Sequence, residues 1–469
     1  MVIRRVVAPR IDFSALRREL ELPERFPPAA QAQADQTAAA PPPLPVLDRT
    51  DLPFVTIDPP ESMDLDQAMY LERRTGGGYR VHYAIADVAA YVPPGGALER
   101  ETWVRGETVY LPDGKVPLHP PVLSEGAASL LPDQVRAAVL WTIELDADGG
   151  PVDVRVERAA IRSRAKLNYP AVQADIERGV SKEPIALLPE LGALLVERGL
   201  ARGAINLPIP AQEVEPVDGG GWALRLRGPE PVENFNAQIS LLTGMAAARI
   251  MLDGKVGLLR TMPPPPQSAL DNLRTAAASL GITWAPGASA GRVIAAVDPN
   301  DPRGAAFLDH AAELMRGAGY TAFDGSVPEQ PEQAAVAAPY AHVTAPLRRL
   351  ADRYTTEVCL ALHAGTPVPD WARTALPKLP EVMSAADHKA NTATRGAVDL
   401  TEAVLLAGRV GETFEAVVLD LENHKAVVAL DDPAVQARCA GAGFQVGTRV
   451  RVRLTVADPK ARRVLFEKV

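Results

Sequence analysis

Short apolar–polar alternations open the main body of this chain. Phe54–Asp58 reads as a strand, and a loop rich in Pro and Asp follows it. Asp66–Arg73 and Tyr79–Ala86 read as two more strands around Thr75-Gly-Gly-Gly78. That triple glycine is a hairpin turn rather than a phosphate loop, because a strand and not a helix comes after it. Residues 136–146 and 151–163 form another strand pair around Asp148-Gly-Gly150. Helical periodicity dominates from about residue 168 to 405. It is interrupted by Pro263–Pro266 and resumes at once in Ser268–Leu280, so the prolines mark an internal loop.

The two ends differ from this middle. Residues 12–22 predict a short helix capped by Asp12 or Ser14, and a second short helix follows Pro28. Two such helices have the outline of a small helix-turn-helix module. Residues 38–45, rich in Ala and Pro, form a stiff linker. Near the C-terminus, 413–430 and 448–456 alternate as half-buried strands do. A strand through Arg449-Val-Arg-Val-Arg-Leu454 puts Arg449, Arg451 and Arg453 on one face and aliphatic residues on the other. Lys460, Arg462 and Arg463 follow a turn. Charge runs are most often solvated faces. Six cations within 15 residues of an acidic protein nevertheless favour a phosphate-binding surface.

Composition narrows the picture. At 469 residues the chain has room for about three domains, or one large and one small. The hydrophobic fraction of 47% and charged fraction of 23% exclude wholesale disorder, a coiled coil and a membrane bundle. No apolar run is long enough to span a bilayer, and the N-terminal apolar stretch is too short for a secretory signal. Cys359 and Cys439 give neither a disulfide framework nor a zinc ligand set, so a reduced, cytoplasmic protein is expected. The net charge of -9 argues against nucleic acid, but local patches govern such binding.

Two segments carry chemistry. In Thr56-Ile-Asp58-Pro-Pro-Glu-Ser-Met-Asp64-Leu-Asp66-Gln67, Asp58 ends a strand, and Asp64 and Asp66 point to one side of an extended segment. Three carboxylates in a small volume repel one another unless a cation lies between them. Hard oxygen ligands suit Mg²⁺, or Mn²⁺ in its place. Spacing alone leaves ordinary turn and cap roles as the commoner reading. The second segment is Tyr340-Ala-His342-Val-Thr344-Ala-Pro346-Leu-Arg348-Arg349-Leu-Ala-Asp352-Arg353. Thr344 is placed to cap a helix of about 20 residues closed by Gly365, with Pro346 in its first turn. Arg348 and Arg349 then lie near a helix start, where an Arg fork suits a phosphate. The plainer alternative is an Arg348–Asp352 pair at i,i+4 spacing.

Together these segments resemble the ribonuclease II/R family with its RNB catalytic domain, which carries a strand ending T-I-D, a loop ending D-x-D-D, and later H-x-T-S-P-I-R-R-Y. Ala84–Val88, Val109–Pro112, Arg202–Ala204 and Leu258–Arg260 also match, so the likeness runs from about residue 50 to 400. It implies a mixed α/β catalytic domain over 48–405, after a helical segment and linker over 1–47. It also implies processive 3′→5′ hydrolysis of single-stranded RNA to nucleoside 5′-monophosphates at a Mg²⁺ site. By this resemblance Asp58, Asp64 and Asp66 are metal and water-activating carboxylates, Gln67 a weaker metal contact, and Arg348 the phosphate-facing arginine. Arg349 is an RNA contact, and Tyr110 stacks near the RNA 3′ end. His342 and Thr344 shape the approach to the helix.

This chain departs from the pattern at three positions. Gln67 replaces the fourth Asp, Ala345 replaces a serine, and Leu207 falls where an aromatic partner of the stacking tyrosine is expected. Residues 408–469 resemble an S1 RNA-binding domain, a five-stranded OB-fold barrel, through Gly411–Val418, Val446–Val450 and Arg462–Phe466. Arg449, Arg451, Arg453, Lys460, Arg462 and Arg463 would be its RNA contacts. Neither a membrane nor a small-molecule cofactor is expected, and the chain is taken as a monomer. The competing reading, prompted by Gln67, is an RNA-binding protein on a catalytically weakened scaffold.

Overall fold

The early alternations close into a barrel. β1 (Phe54–Asp58), β2 (Gln67–Arg73) and β3 (Tyr79–Ala86) form a meander. A small hairpin intervenes, β4 (Val109–Leu111) with β5 (Gly114–Val116). β6 (Val135–Leu145) and β7 (Pro151–Asn168) then complete a closed sheet in the order β1-β2-β3-β6-β7. The computed structural model describes residues 11–217, 221–422, 425–430 and 432–469. β7 runs five residues beyond its predicted end, because its last part turns parallel to β1 and pairs Asp58 with Asn168. This barrel was not legible as such: alternation reveals strands but not the closure between the first and the last. Gly76, Gly77 and Gly78 all have positive φ, as the β2–β3 turn requires. A Cβ on Gly78 would lie 2.2 Å from the Leu145 carbonyl oxygen.

Both faces of these strands are buried. Val55, Ile57, Leu71, Val81, Tyr83 and Trp141 join one apolar cluster with Ile239 and Leu242 of the long helix Pro231–Gly254. Phe54, Ala68, Ala84, Leu140 and Ile161 join another with Ala34, Leu98 and Leu347. The predicted helical stretch 168–405 also contains three two-stranded antiparallel sheets. They are β8 (Ala211–Val217) with β9 (Gly221–Arg227), β10 (Val256–Thr261) with β11 (Gly319–Asp324), and β12 (Glu332–Gln333) with β13 (Ala338–Pro339). β10 and β11 pair across the proline run, so the helix Gln267–Leu280 belongs to an excursion between two paired strands.

The N-terminal helices, Ser14–Glu19 and Pro28–Ala39, do not form a helix-turn-helix unit. Each packs elsewhere, the first on the helix Leu379–Leu406 and the second on the helix Ala97–Arg105. Arg17 pairs with Asp113 at 2.6 Å, and Arg462 with Glu19 at 2.7 Å. Asp12 accepts from the Ser14 amide just before the first helix rather than capping its interior. Among the described residues no helix is long and apolar enough to cross a membrane.

The C-terminal strands close a second five-stranded barrel, as expected. β14 (Thr413–Glu422), β15 (Lys425–Leu430), β16 (Gln436–Ala440), β17 (Arg449–Asp458) and β18 (Arg463–Lys468) run in the order β14-β15-β16-β18-β17. Its apolar interior is continuous with the rest of the molecule. Phe414, Val418, Leu454 and Phe466 share a cluster with Phe13, Leu16, Trp222, Leu405 and Leu406.

Glu402 is buried at that junction, where it accepts from the Gln436 amide and from Gln212 Nε2. Burial pushes its pKa up to about 7, against hydrogen bonds that lower it. A folded-state pKa above the unfolded value means that folding favours the proton. The contribution is full below the ordinary carboxylate range and is lost as pH rises towards 7. Glu402→Gln should therefore be stabilised over the native protein by about 2 kcal/mol at pH 8, with little difference at pH 4. Thermal melts at the two pH values measure this.

Candidate active site

β1 delivers Asp58, and the loop to β2 delivers Asp64 and Asp66. Ser129 pins that loop: its hydroxyl donates to the Met63 carbonyl and accepts from the Leu65 amide. Asp66 is 4% exposed. Its Oδ1 accepts from the Leu347 amide at 2.7 Å, and its Oδ2 lies 3.6 Å from Arg348 Nε. Burial raises the pKa of Asp66 to about 8, although the Arg348 charge and the Leu347 amide pull it down. Asp58 rises to about 6, again through burial, with Arg348 opposing and Asp64 adding. The Oδ2 of Asp58 is buried without a hydrogen-bond partner.

Asp64 is held differently. Lys115 Nζ lies 2.8 Å from its Oδ1, and the Tyr110 hydroxyl donates to Oδ2 at 3.2 Å. Tyr110 and Lys115 are direct cross-strand partners on β4 and β5, so one hairpin brings both to the same carboxylate. Lys115 also pairs with Glu125 at 2.9 Å. The Tyr110 residue remains 47% exposed.

The three aspartates therefore do not form a three-carboxylate cage. Among the described residues no three His, Cys, Asp or Glu side chains are grouped to hold a metal ion. The donors whose chemistry suits a divalent cation are Asp58 and Asp66, each in the field of Arg348. Both are desolvated hard-oxygen donors, and one oxygen of Asp58 is orphaned. Mg²⁺ commonly takes one or two carboxylates and leaves the remaining positions to water and phosphate.

Gln67, expected as a weaker metal contact, has both of its polar atoms engaged within the protein. Its Nε2 donates to the Thr344 carbonyl at 2.6 Å, and its Oε1 accepts from the Tyr83 hydroxyl. The Thr344 carbonyl can only accept, which fixes the amide orientation. Gln67 thus ties β2 to the Thr344 segment.

The helix expected from Thr344 begins instead at Leu350 and ends at His363. Residues 348–350 are drawn into strand-like pairing with 106–108. The Leu350 amide donates to the Gly106 carbonyl, and the Thr108 amide donates to the Arg348 carbonyl. Those bonds compete with a helical turn. Thr344 is buried, with its hydroxyl against Ser240, and caps nothing. Asp352 is fully buried and accepts from the Ala345 amide at 2.7 Å. It also takes both prongs of Arg349, at 2.6 and 2.8 Å. The expected RNA contact Arg349 is therefore committed to Asp352, and the i,i+4 pair with Arg348 does not form. Arg348 stays about half exposed beside Asp66. His342 is half-buried against the Tyr320 hydroxyl, and desolvation of its ring holds its pKa well below the usual imidazole value.

Leu207 packs on the apolar cluster of Ile205, Leu273 and Phe307, which belongs to the helical excursion. On the C-terminal barrel Arg449, Arg451 and Arg453 are exposed and alternate with Val450, Val452 and Leu454. Acids across the strands meet two of them: Glu467 lies 2.8 Å from Arg453 and Glu415 lies 3.8 Å from Arg451. Arg462 is held by Glu19. Lys460 and Arg463 are exposed and have no ion pair among the described residues. Lys115 and Asp352 were missed as site residues. The turn signal Pro112-Asp-Gly114 would have placed Lys115 opposite Tyr110.

Comparison with known proteins agrees with this architecture. The RNB domain matches residues 47–362, and the RNase II-type exonuclease C-terminal S1 domain matches residues 412–469. Ribonuclease R of Escherichia coli (strain K12) is 26% identical over 481 residues, which cover 90% of this chain and 57% of that protein. The chain thus spans little more than half the length of that relative. Mycoplasma genitalium RNase R in complex with ribose methylated single-stranded RNA has a TM-score of 0.86 at 19% identity, over 97% of this chain and 77% of that one. Yeast Ssd1, a pseudonuclease, has a TM-score of 0.72 at 17% identity, over 89% and 54%. With more than half of its residues matched by the RNB domain, the chain belongs to the RNB domain family and ends in an S1 domain of the RNase II type.

Proposed function

We propose that this protein is a hydrolytic 3′→5′ exoribonuclease that degrades single-stranded RNA processively and releases nucleoside 5′-monophosphates. The observation that carries the reading is the placing of two desolvated carboxylates, Asp58 and Asp66, beside the half-exposed guanidinium of Arg348. The similarity to Ribonuclease R and to an RNase R structure with single-stranded RNA supports it.

Exoribonucleases of this family depend on divalent metal, and Asp58 and Asp66 would hold that ion, Mg²⁺ or Mn²⁺. When bound it would supply Lewis-acid polarisation of a phosphate oxygen and a more acidic water. The chain's own groups do the rest. Arg348 meets the negative charge that grows on the scissile phosphate as water oxygen bonds to phosphorus and the bond to the 3′ oxygen breaks. Tyr110 offers a ring face to a terminal base, and Asp64 anchors its hydroxyl. The cations of the C-terminal barrel, with Lys460 and Arg463 the least encumbered, would guide the backbone of the strand.

A second reading, an RNA-binding protein without turnover, is favoured by the engagement of both polar atoms of Gln67 and by the likeness to a pseudonuclease. One assay separates the two. Single-stranded RNA labelled at its 5′ end should be converted with Mg²⁺ to a short labelled end product without a ladder of intermediates, unlabelled mononucleotides should appear in solution, and EDTA should stop both. Binding without shortening would select the second reading.

A further inference from the structure

Two cations reach the carboxylate loop from strands outside it: Lys166 of β7 donates to the Pro60 carbonyl at 2.6 Å, and Lys115 of β5 meets a carboxylate directly. Lys115 bridges Asp64 and Glu125 at 2.8 and 2.9 Å, and its side chain is 22% exposed. Its position is imposed by the hairpin: Lys115 lies directly opposite Tyr110, and Tyr110 contacts the other oxygen of Asp64. Glu125 comes from a five-residue π-helical turn, Leu123–Ala127, a local geometry frequent at functional sites. The four nearby acids thus differ in their contacts. Asp64 and Glu125 share the Lys115 ammonium, whereas Asp58 and Asp66 lie in the field of Arg348, with Lys166 also acting on Asp58.

We infer that Lys115 is a resident cation of this site, which neutralises Asp64 and leaves a divalent ion with only Asp58 and Asp66. The inference rests on the proposed metal site and concerns how tightly that site takes its ion. Burial works against the Lys115 charge, but Asp64 and Glu125 outweigh it and keep its pKa raised. The ammonium therefore stays charged at neutral pH. A positive charge seated on Asp64 offsets the attraction that carboxylate would exert on an incoming cation and keeps Asp64 from serving it. In this chain Gln67 brings no charge where the family pattern has a carboxylate, and Lys115 lowers the negative charge of the site further.

Calorimetric titration of the full-length protein with Mn²⁺, without RNA, tests this. Lys115→Met should bind Mn²⁺ about tenfold tighter, because one carboxylate is released and one positive charge is lost. Lys115→Arg keeps the charge and should stay within about twofold of the native protein. Glu125→Gln should bind about threefold weaker, since it leaves the ammonium less compensated. Opposite shifts in Lys115→Met and Glu125→Gln support the inference, because a merely structural ion pair has no reason to produce them. An unchanged or weaker affinity in a folded Lys115→Met overturns it. If that variant melts, Glu125→Gln decides: weaker binding supports the inference, and equal or tighter binding overturns it. Retention of the full isotherm in Asp66→Asn overturns the placing of the ion, and the inference with it. RNA turnover has no part in the readout. A native protein that binds Mn²⁺ but cleaves nothing defeats the proposed function alone, and unchanged affinities in an active enzyme defeat this inference alone.

Discussion

Asp66→Asn should lower the rate of mononucleotide release at least about 10³-fold and leave affinity for single-stranded RNA within about threefold. The substitution is nearly isosteric. The Asn Oδ1 can still accept from the Leu347 amide, so the contact between the carboxylate loop and the Arg348 segment survives. What disappears is one of two desolvated charges available to a divalent ion. RNA affinity comes mostly from phosphate and stacking contacts elsewhere, so it is spared. Single-turnover kinetics and a binding titration on the same preparation check both halves. Residual turnover within tenfold of the native rate would remove Asp66 from the metal site.

The second large effect separates two adjacent arginines. Arg348→Ala should reduce kcat about 10²-fold to 10³-fold with a small change in RNA affinity, because its guanidinium faces charge that develops in the transition state. It is about half exposed, and its nearest acid is 3.6 Å away, so removing it costs the fold little. Arg349→Ala should behave in the opposite way. Its bidentate partner Asp352 is fully buried and also holds the Ala345 amide. Truncation there leaves a buried charge without its partner and should cost about 3–5 kcal/mol of stability. Measuring kcat and the melting temperature for both variants resolves the pair. A fall only in salt-dependent RNA affinity for Arg348→Ala, with kcat intact, would make it an ordinary phosphate contact.

Sequence reading reached far where physics is local. The strands at Phe54–Asp58 and Tyr79–Ala86, the glycine turn between β2 and β3 and the C-terminal barrel all follow from alternation and turn chemistry. It failed where distant backbone competes. Nothing near Thr344 announces that Gly106 and Thr108 will claim the backbone of Arg348 and Leu350, so the helix starts five residues later than a Thr344 cap predicts. Charge partners across strands were equally hidden. A single residue separates Asp64 and Asp66 in sequence, yet Lys115 takes one and Arg348 lies beside the other. Motif position identified which carboxylates matter. Their division between two cations is a tertiary fact. The same holds for the barrel face, where the arginine stripe was legible and Glu415 and Glu467 opposite it were not.

The helix Ser14–Glu19 bears on the order of assembly. Six residues without a side-chain cap are too few to persist as a helix in water. Its place is set by Asp113, by the helix Leu379–Leu406 and by Arg462, 443 positions away from Glu19 in the chain. During synthesis, then, this helix gains its full set of contacts only after Arg462 has left the ribosome. A nascent chain that has already built the first barrel would still lack this clasp between Glu19 and Arg462, and closing it comes after the first barrel has formed.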